Sequence, residues 1–599
     1  MTEFILKEMA AIRLCIFFFF TSIASVGQKL EQRISIDMRD QSIKNILLGM
    51  ETLADVKFSY TNQVLQAEKK ASVKAQQIPL KAALIQLLGT GYKFKEVKGY
   101  IIISKEKIND DEILVKGYVY DSKGAPLDNA TVFERRSMRS NNTDPNGYYE
   151  LRIKRDVAPD SIFIRKYNYS GSDVGLRDSL YTHTSALSRA DSSGNDMTAL
   201  NLLHRTTDQL TQSIASFWYK HQLVALNVQD TIYRKFQVTF VPYIGTNRKL
   251  SANSINTVSF NILGGYALAN EGVEFAGLFN TNRGDSRGVQ FAGLYNINGE
   301  SSDGAQFAGL FNLNGASSTG AQFAGLFNHN AGSYEGVQFA GLYNLNQDSI
   351  HGAQFAGLFN FNKGISEGPQ FAGLFNTSSG RSKGCAVAGF MNIHSNIPLQ
   401  IAPFNIANES SAQIGVMNFA SKSKFQLGVI NIADSVSGLP IGVLNFVKNG
   451  YHKLDVGYDS EAHLNLSFRT GVPALYTILS STIRPSLRDS TEWSFGYGIG
   501  TAPRIGKRIR WNIDITSHQM VEGGRIEHLQ LTNRLSTGIE YQITSWFAVY
   551  GAFVANHAFY ELDAEYNPYT ESRNIVYSTS DNRYKSELWP GWRFGIRFF

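Results

Sequence analysis

The sequence predicts a mainly β protein: a transmembrane antiparallel β-barrel of roughly twenty strands, built partly from 16- and 13-residue repeats and preceded by a small α+β domain and a β-sandwich. Three observations carry this expectation. Glycine and asparagine recur at a fixed spacing through the middle of the chain, the C-terminal third alternates polar and apolar residues, and the first residues read as an export signal. Composition narrows the field. In 599 residues, 57 Lys and Arg stand against 51 Asp and Glu, a net charge of +6, too weak a bias for a nucleic-acid footprint. Charged residues make up only 18% and aromatics 12%, which excludes disorder for most of the length. A mean hydropathy of −0.18 and the lack of a long apolar run past the N-terminus exclude a helical membrane protein. They do not exclude a barrel, whose strands alternate faces.

Residues 1–27 are expected to be a signal peptide: Lys7 and Arg13 precede the apolar run Leu14–Phe20, and Ser22, Ala24, Ser25 and Gly27 follow. Cys15 lies within it, so Cys385 is the one cysteine of the mature chain, and neither a disulfide nor a thiolate zinc site is expected. An exported protein without disulfides must rely on core burial or a closed hydrogen-bonded sheet.

Residues 28–108 read as an α+β unit. A strand at Ile34–Ile36 precedes a helix with Ile43, Ile46, Leu47 and Met50 on one face, and a second strand covers Val56–Tyr60. A second helix, with Leu80, Ala83, Leu84, Leu87 and Leu88, ends at Gly89, and a hairpin closes at Tyr92–Phe94 and Gly99–Ile103. The stretches QSIKNILLGMETLADVKFSY and IPLKAALIQLLGTGYKFKEVKGYIIIS resemble the secretin and TonB N-terminal short domain (STN). That resemblance implies docking of a periplasmic partner. Residues 112–170 read as a β-sandwich, with turns at Ser122–Leu127 and Asp144–Gly147. VKGYVYDSKGAPLDNATV followed by TDPNGYYEL is similar to the non-catalytic carboxypeptidase-regulatory-like domain that precedes many Bacteroidota outer-membrane proteins. A TonB-dependent receptor would then carry a plug of more than ~100 residues. Here residues 171–234 form a polar linker, with a helical patch at 200–203 and 210–217 as a potential lumen insert, so the chain is expected to be plug-less.

The repeat region, 272–447, holds the strongest signal. Gly277, Gly293, Gly309, Gly325, Gly341, Gly357, Gly373 and Gly389 lie sixteen residues apart, and Asn280, Asn296, Asn312, Asn328, Asn344, Asn360, Asn376 and Asn392 keep the same register. Beyond residue 400 the spacing tightens: Asn405, Asn418, Asn431 and Asn445 are 13, 13 and 14 apart. At period two, Ala305, Phe307, Gly309, Phe311 and Leu313 share one face, and Gln306, Ala308, Leu310, Asn312 and Asn314 share the other. Two architectures compete. In an antiparallel barrel each unit is a membrane strand with Phe and Leu toward lipid and amides toward the lumen. In a parallel β-solenoid the Asn column is a buried amide ladder and the Phe column stacks. Fixed register favours the solenoid; the change from sixteen to thirteen argues against a constant coil. The short units also lose one residue between Gln and Asn, which at period two moves Gln to the opposite face.

The C-terminal third tips the expectation toward a barrel over residues 235–599. Leu464–Phe468 and Ile509–Thr516 alternate strictly, as do 236–240 and 258–262, and the chain ends in Trp592–Phe599 with its apolar phase set by Phe598. No HExxH, paired Cys and His, G-x-S-x-G, Walker or dinucleotide pattern occurs, so no enzyme, catalytic residue, metal or cofactor is expected. The expected function is a non-enzymatic outer-membrane barrel with periplasmic docking domains, acting in transport or as an accessory subunit of an assembly or transport complex. Its expected partners are outer-membrane lipid, a periplasmic protein bound through residues 28–170 and other outer-membrane subunits. A surface-exposed solenoid with a structural or adhesive role, and STN-mediated envelope signalling, are the alternatives.

Overall fold

The computed structural model describes residues 29–89, 91–106, 111–157, 159–176, 180–189, 224–461, 464–484, 492–522, 530–562 and 574–599. The expected signal peptide and the helical patch at 200–217 lie outside these residues. The chain divides into two compact units, residues 1–269 and 270–599.

In the first unit, strand Arg33–Ser42 pairs antiparallel with Lys70–Pro79, and Lys57–Ser59, Tyr100–Lys105 and Tyr92–Val97 form a second small sheet. Helix Ile43–Ala54 starts where the Ser42 hydroxyl accepts the Asn45 N–H, and helix Leu80–Leu88 stops at Gly89, whose φ of +81° suits glycine. The apolar faces read from the sequence, Ile46, Leu47 and Met50 on one helix and Leu80 and Leu84 on the other, meet in one core. The sandwich that follows packs the sheet containing Glu112–Asp121 and Tyr148–Lys154 against one containing Thr131–Glu134 and Ser161–Arg165. At its tight turn the Asp144 carboxylate accepts the Asn146 and Tyr148 N–H groups. The sandwich continues past the expected limit at 170: strand Leu180–Leu187 pairs parallel with Glu112–Asp121. The unit ends in two parallel strands, Ile232–Val241 and Ser254–Asn261, where the sequence predicts antiparallel barrel strands.

The second unit overturns the twenty-strand barrel. The repeats are coils of a parallel β-solenoid. Residues 286–292 pair with 302–308, and these with 319–324, each residue opposite its counterpart sixteen positions on. Parallel pairing is what the fixed register serves, because each side chain then rests on its own equivalent. Gln306, Asn312, Asn314 and Ser318 point into a core with almost no apolar content, while Phe307, Phe311 and Leu313 point outward. Gln306, Asn312 and Asn314 share the inward face as expected, where they meet other core side chains in place of a lumen. Ala308 and Leu310, expected beside them, turn outward at the corner, where the equivalents Leu326 and Leu342 are exposed.

The step from sixteen to thirteen is spread over one coil. Ser378 pairs with His394 at an offset of sixteen, Arg381 with Asn396 at fifteen, Cys385 with Leu399 at fourteen and Met391 with Phe404 at thirteen. The last loss falls at the corner after the Gln position, and the corner resets the alternation. Gln400, Gln413 and Gln426 therefore stay buried in the core.

The cylinder is smaller than expected and lies wholly within residues 451–598. Tyr451–Asp459, Leu464–Val472, Leu475–Arg484, Glu492–Thr501, Ile509–Glu522, Gln530–Gln542, Phe547–Glu561 and Tyr584–Phe598 form a closed antiparallel barrel of eight strands. Pairing of Leu454 with Phe598 completes the ring.

The amide column sets the cost of disturbing a coil. Asn328→Leu removes the acceptor of Asn312, the donor to Asn344 and the donor to the Phe339 carbonyl. Each buried group left unpaired costs roughly 1–3 kcal/mol. Hydrogen exchange is expected to accelerate in coils 312–355 and to stay unchanged in the barrel.

Candidate functional site

The predicted glycines and asparagines gather at one corner of the solenoid. Every coil turns there through two residues, Gly309-Leu310 in one coil and Gly325-Leu326 in the next. A Cβ on Gly325 would sit 2.0 Å from the Gly309 carbonyl oxygen, and the same clash at 2.0–2.2 Å recurs from Gly293 through Gly389. The glycines are thus fixed by close coil stacking. Backbone bonds run from coil to coil across the corner, from Gly309 N–H to the Ala292 carbonyl and from Leu310 and Phe311 N–H to the Leu294 carbonyl. The asparagine adds to them: Asn312 Nδ2 donates both to the Phe323 carbonyl at 3.0 Å and to Asn328 Oδ1 at 2.9 Å. From Asn280 to Asn445 the side-chain chain is unbroken, at 2.7–3.2 Å per step, even across the change of period.

Two further columns were not singled out by spacing. Gly288, Gly304, Gly320, Gly336, Gly352 and Gly368 hold φ between +108° and +148°. The glutamines stack from Gln290 to Gln370 at 2.8–3.1 Å per step, with Glu274 accepting from the first. Both columns keep the sixteen-residue period, which is the signal that would have found them.

Where Ala386 breaks the glutamine column, His394 fills the gap. Its Nε2 lies 2.9 Å from Gln370 Oε1, and its Nδ1 lies 3.2 Å from Gln400 Nε2, so a neutral ring donates to one amide and accepts from the other. Burial pushes its pKa down to about 3.

Within the barrel the alternation is inverted relative to a soluble protein. Asp455, Arg469, Asp514, Glu540 and Arg597 point inward and are buried. Arg469 Nε donates to Asp455 at 2.7 Å and its Nη1 to Asp514 at 2.8 Å, while Arg597 Nη1 donates to Glu540 at 2.6 Å. Tyr476 Oη donates to Asp514 at 2.6 Å. Eight strands enclose just enough room for such side chains, so this layer is filled. Outside stand Leu466, Trp493, Phe495, Trp511, Phe553 and Phe594, Phe553 being 80% exposed. The terminal strand follows the predicted phase: Arg593 and Arg597 inward, Phe594 and Phe598 outward.

The solenoid shares this inversion. Phe291, Phe307, Phe323, Phe339, Phe355 and Phe371 stack outward with ring centroids 4.7–5.1 Å apart. A second outward stack runs from Phe279 through Tyr295 and Phe311 to Phe375. In the first unit the α+β domain and the sandwich meet through Lys116, whose Nζ lies 3.3 Å from Glu106, and through Lys81, 3.8 Å over the Tyr148 ring. Among the described residues no three His, Cys, Asp or Glu side chains gather as a metal site. Compared with known proteins, the chain matches no family model, no curated protein and no solved structure.

Two expected outcomes follow from the buried groups. Arg469→Met leaves Asp514 without its cation and Asp455 with Arg597 alone, a loss of roughly 3–5 kcal/mol. It is expected to lower the temperature at which the purified protein loses its β-sheet circular dichroism. His394 has a folded pKa below its unfolded value, so its contribution is intact above about pH 6.5 and falls as the pH drops toward 3. The slope is about 1.4 kcal/mol per pH unit. Amide protection of coils 386–414 is expected to fall on acidification in the natural chain and to fall less in His394→Gln.

Proposed function

We propose that the protein is a non-enzymatic outer-membrane component whose eight-stranded barrel is an anchor. Its α+β domain and sandwich are periplasmic docking modules for a protein partner. The observation that carries this reading is the inverted cylinder, with ion pairs inside and aromatic and aliphatic side chains outside. Water-soluble proteins bury such apolar surface, and hydrocarbon is the environment in which it is stable. Ring closure supports the same reading, because a closed sheet leaves no unpaired strand edge for lipid to meet.

The filled interior argues for anchoring over conduction. Arg469 and Arg597 side chains are 0% and 2% exposed, which leaves no continuous water path through that layer. Transport, if this chain takes part in it, is then a property of a complex in which it is an accessory subunit. The parallel coils support a second reading, a surface-displayed structural solenoid; that reading requires no bilayer.

The two readings differ in one preparation. Detergent extraction followed by SDS electrophoresis is expected to give a faster-migrating band unheated than boiled, with no steady conductance in planar bilayers. Release from membranes by high salt or carbonate, without detergent, would overturn the anchor.

A further inference from the structure

The solenoid carries a long outward groove that neither the barrel nor the docking modules explain. Its wall is the phenylalanine stack from Phe291 to Phe371, and its floor is the paired columns of Ala308 and Gly309 and their equivalents. The groove measures about 1000 Å3 and is lined by Phe, Ala, Gly and one Val. No polar side chain enters it. At ~4.8 Å per coil it runs for roughly 25 Å, longer than the ~15 Å that one leaflet contributes to a bilayer's hydrocarbon core.

The rest of the coil perimeter is different. The return segments carry Asp303, Thr319, Glu335, Lys363 and Lys383, so each coil is apolar on one side and polar or charged on the other. The column next to the second aromatic stack is apolar apart from Thr281, His329 and Thr377. Through the short coils this column continues in register as Ile393, Ile406, Phe419, Ile432 and Phe446. It ends against the outer wall of the barrel. The Phe446 and Phe468 rings lie 6.4 Å apart, and Tyr497 Oη donates to the Gly442 carbonyl at 3.1 Å. The apolar belt of the solenoid and the apolar wall of the barrel are therefore one surface.

We propose that this belt is a second lipid-contacting surface: the acyl chains of membrane phospholipid cover it, and one chain lies lengthwise in the Phe–Ala–Gly groove. The inference rests on the reading of the barrel as a membrane anchor. Two observations favour hydrocarbon over a protein occupant. A groove lined by no polar side chain offers no side-chain donor or acceptor to orient a polypeptide, whereas an acyl chain needs no orientation. The N–H groups at the corner are taken by the coil before, Gly309 N–H donating to the Ala292 carbonyl and Leu310 and Phe311 N–H to the Leu294 carbonyl, so hydrocarbon meets no orphaned donor there.

Nitroxide labelling of the full chain, reconstituted in phosphatidylethanolamine–phosphatidylglycerol vesicles, separates the outcomes. In a Cys15→Ser, Cys385→Ser background, single cysteines are placed at Phe339 in the groove, Leu342 at the corner, Thr319 on the polar side and Phe553 on the barrel. Collision with oxygen reports hydrocarbon, and collision with a polar nickel chelate reports water. Labels at Phe339, Leu342 and Phe553 are expected to favour oxygen about tenfold over the label at Thr319. A Phe553 label in hydrocarbon with Phe339 and Leu342 labels in water overturns the proposal and leaves the anchor standing. Phe339 and Leu342 labels shielded from both reagents mean a second copy or another protein covers the belt, which also overturns it. A Phe553 label in water removes the anchor itself.

Discussion

A parallel coil must place each residue directly on its counterpart in the coil before, and the solenoid follows from that one constraint. Where the backbone turns in the sixteen-residue coils, only glycine tolerates the carbonyl of the previous coil at about 2 Å from a would-be Cβ. Beside the turn, an amide that both donates and accepts adds a bond to the backbone ladder and hands the pattern to the next coil. A residue with only one of those capacities would end the column. The glutamines use the same chemistry on the neighbouring wall, and at the change of period His394, a neutral ring with one donor and one acceptor, takes the place of an amide.

The barrel reaches a similar distribution of polarity by different means. Its strands run antiparallel, so a residue need not face its own kind, and no repeat is required. Its interior is held by charge in place of amide ladders: Asp455 is shared by Arg469 and Arg597, and Asp514 is shared by Arg469 and Tyr476. Both halves leave their apolar side chains outside, which is why one apolar surface can run from one to the other.

Much of this was legible in the chain. The two helices of the α+β domain followed from spacing at 43–50 and 80–88, and the alternation at 509–516 separated two faces, of which the structure buries Asp514 and exposes Trp511. Strand Lys70–Pro79 was not legible: its Lys, Gln and Ser residues lie mostly at the surface and leave no apolar phase to read. Direction of pairing was misread because alternation at period two is identical in parallel and antiparallel strands. The unvarying sixteen-residue register was the better guide, since only parallel coils need residue identity to repeat and not merely polarity. The shift to thirteen argued the other way on the premise that a coil must change length at one point. The chain instead sheds one residue at a time between Ser378 and Met391. The filled barrel interior needed strand number, which alternation alone does not supply.

The graded coil between Ser378 and Met391 has a consequence for how such a chain changes over generations. It is an adapter: thirteen-residue coils are joined to the barrel wall on one side, and sixteen-residue coils stack freely on the other. Whole sixteen-residue units can be duplicated or lost upstream of the adapter, lengthening or shortening the stack while the junction with the barrel is untouched. Insertions of any other size displace every column at once. The reach of the protein is therefore edited in integral coils, and copies from different lineages should differ in length by multiples of one repeat.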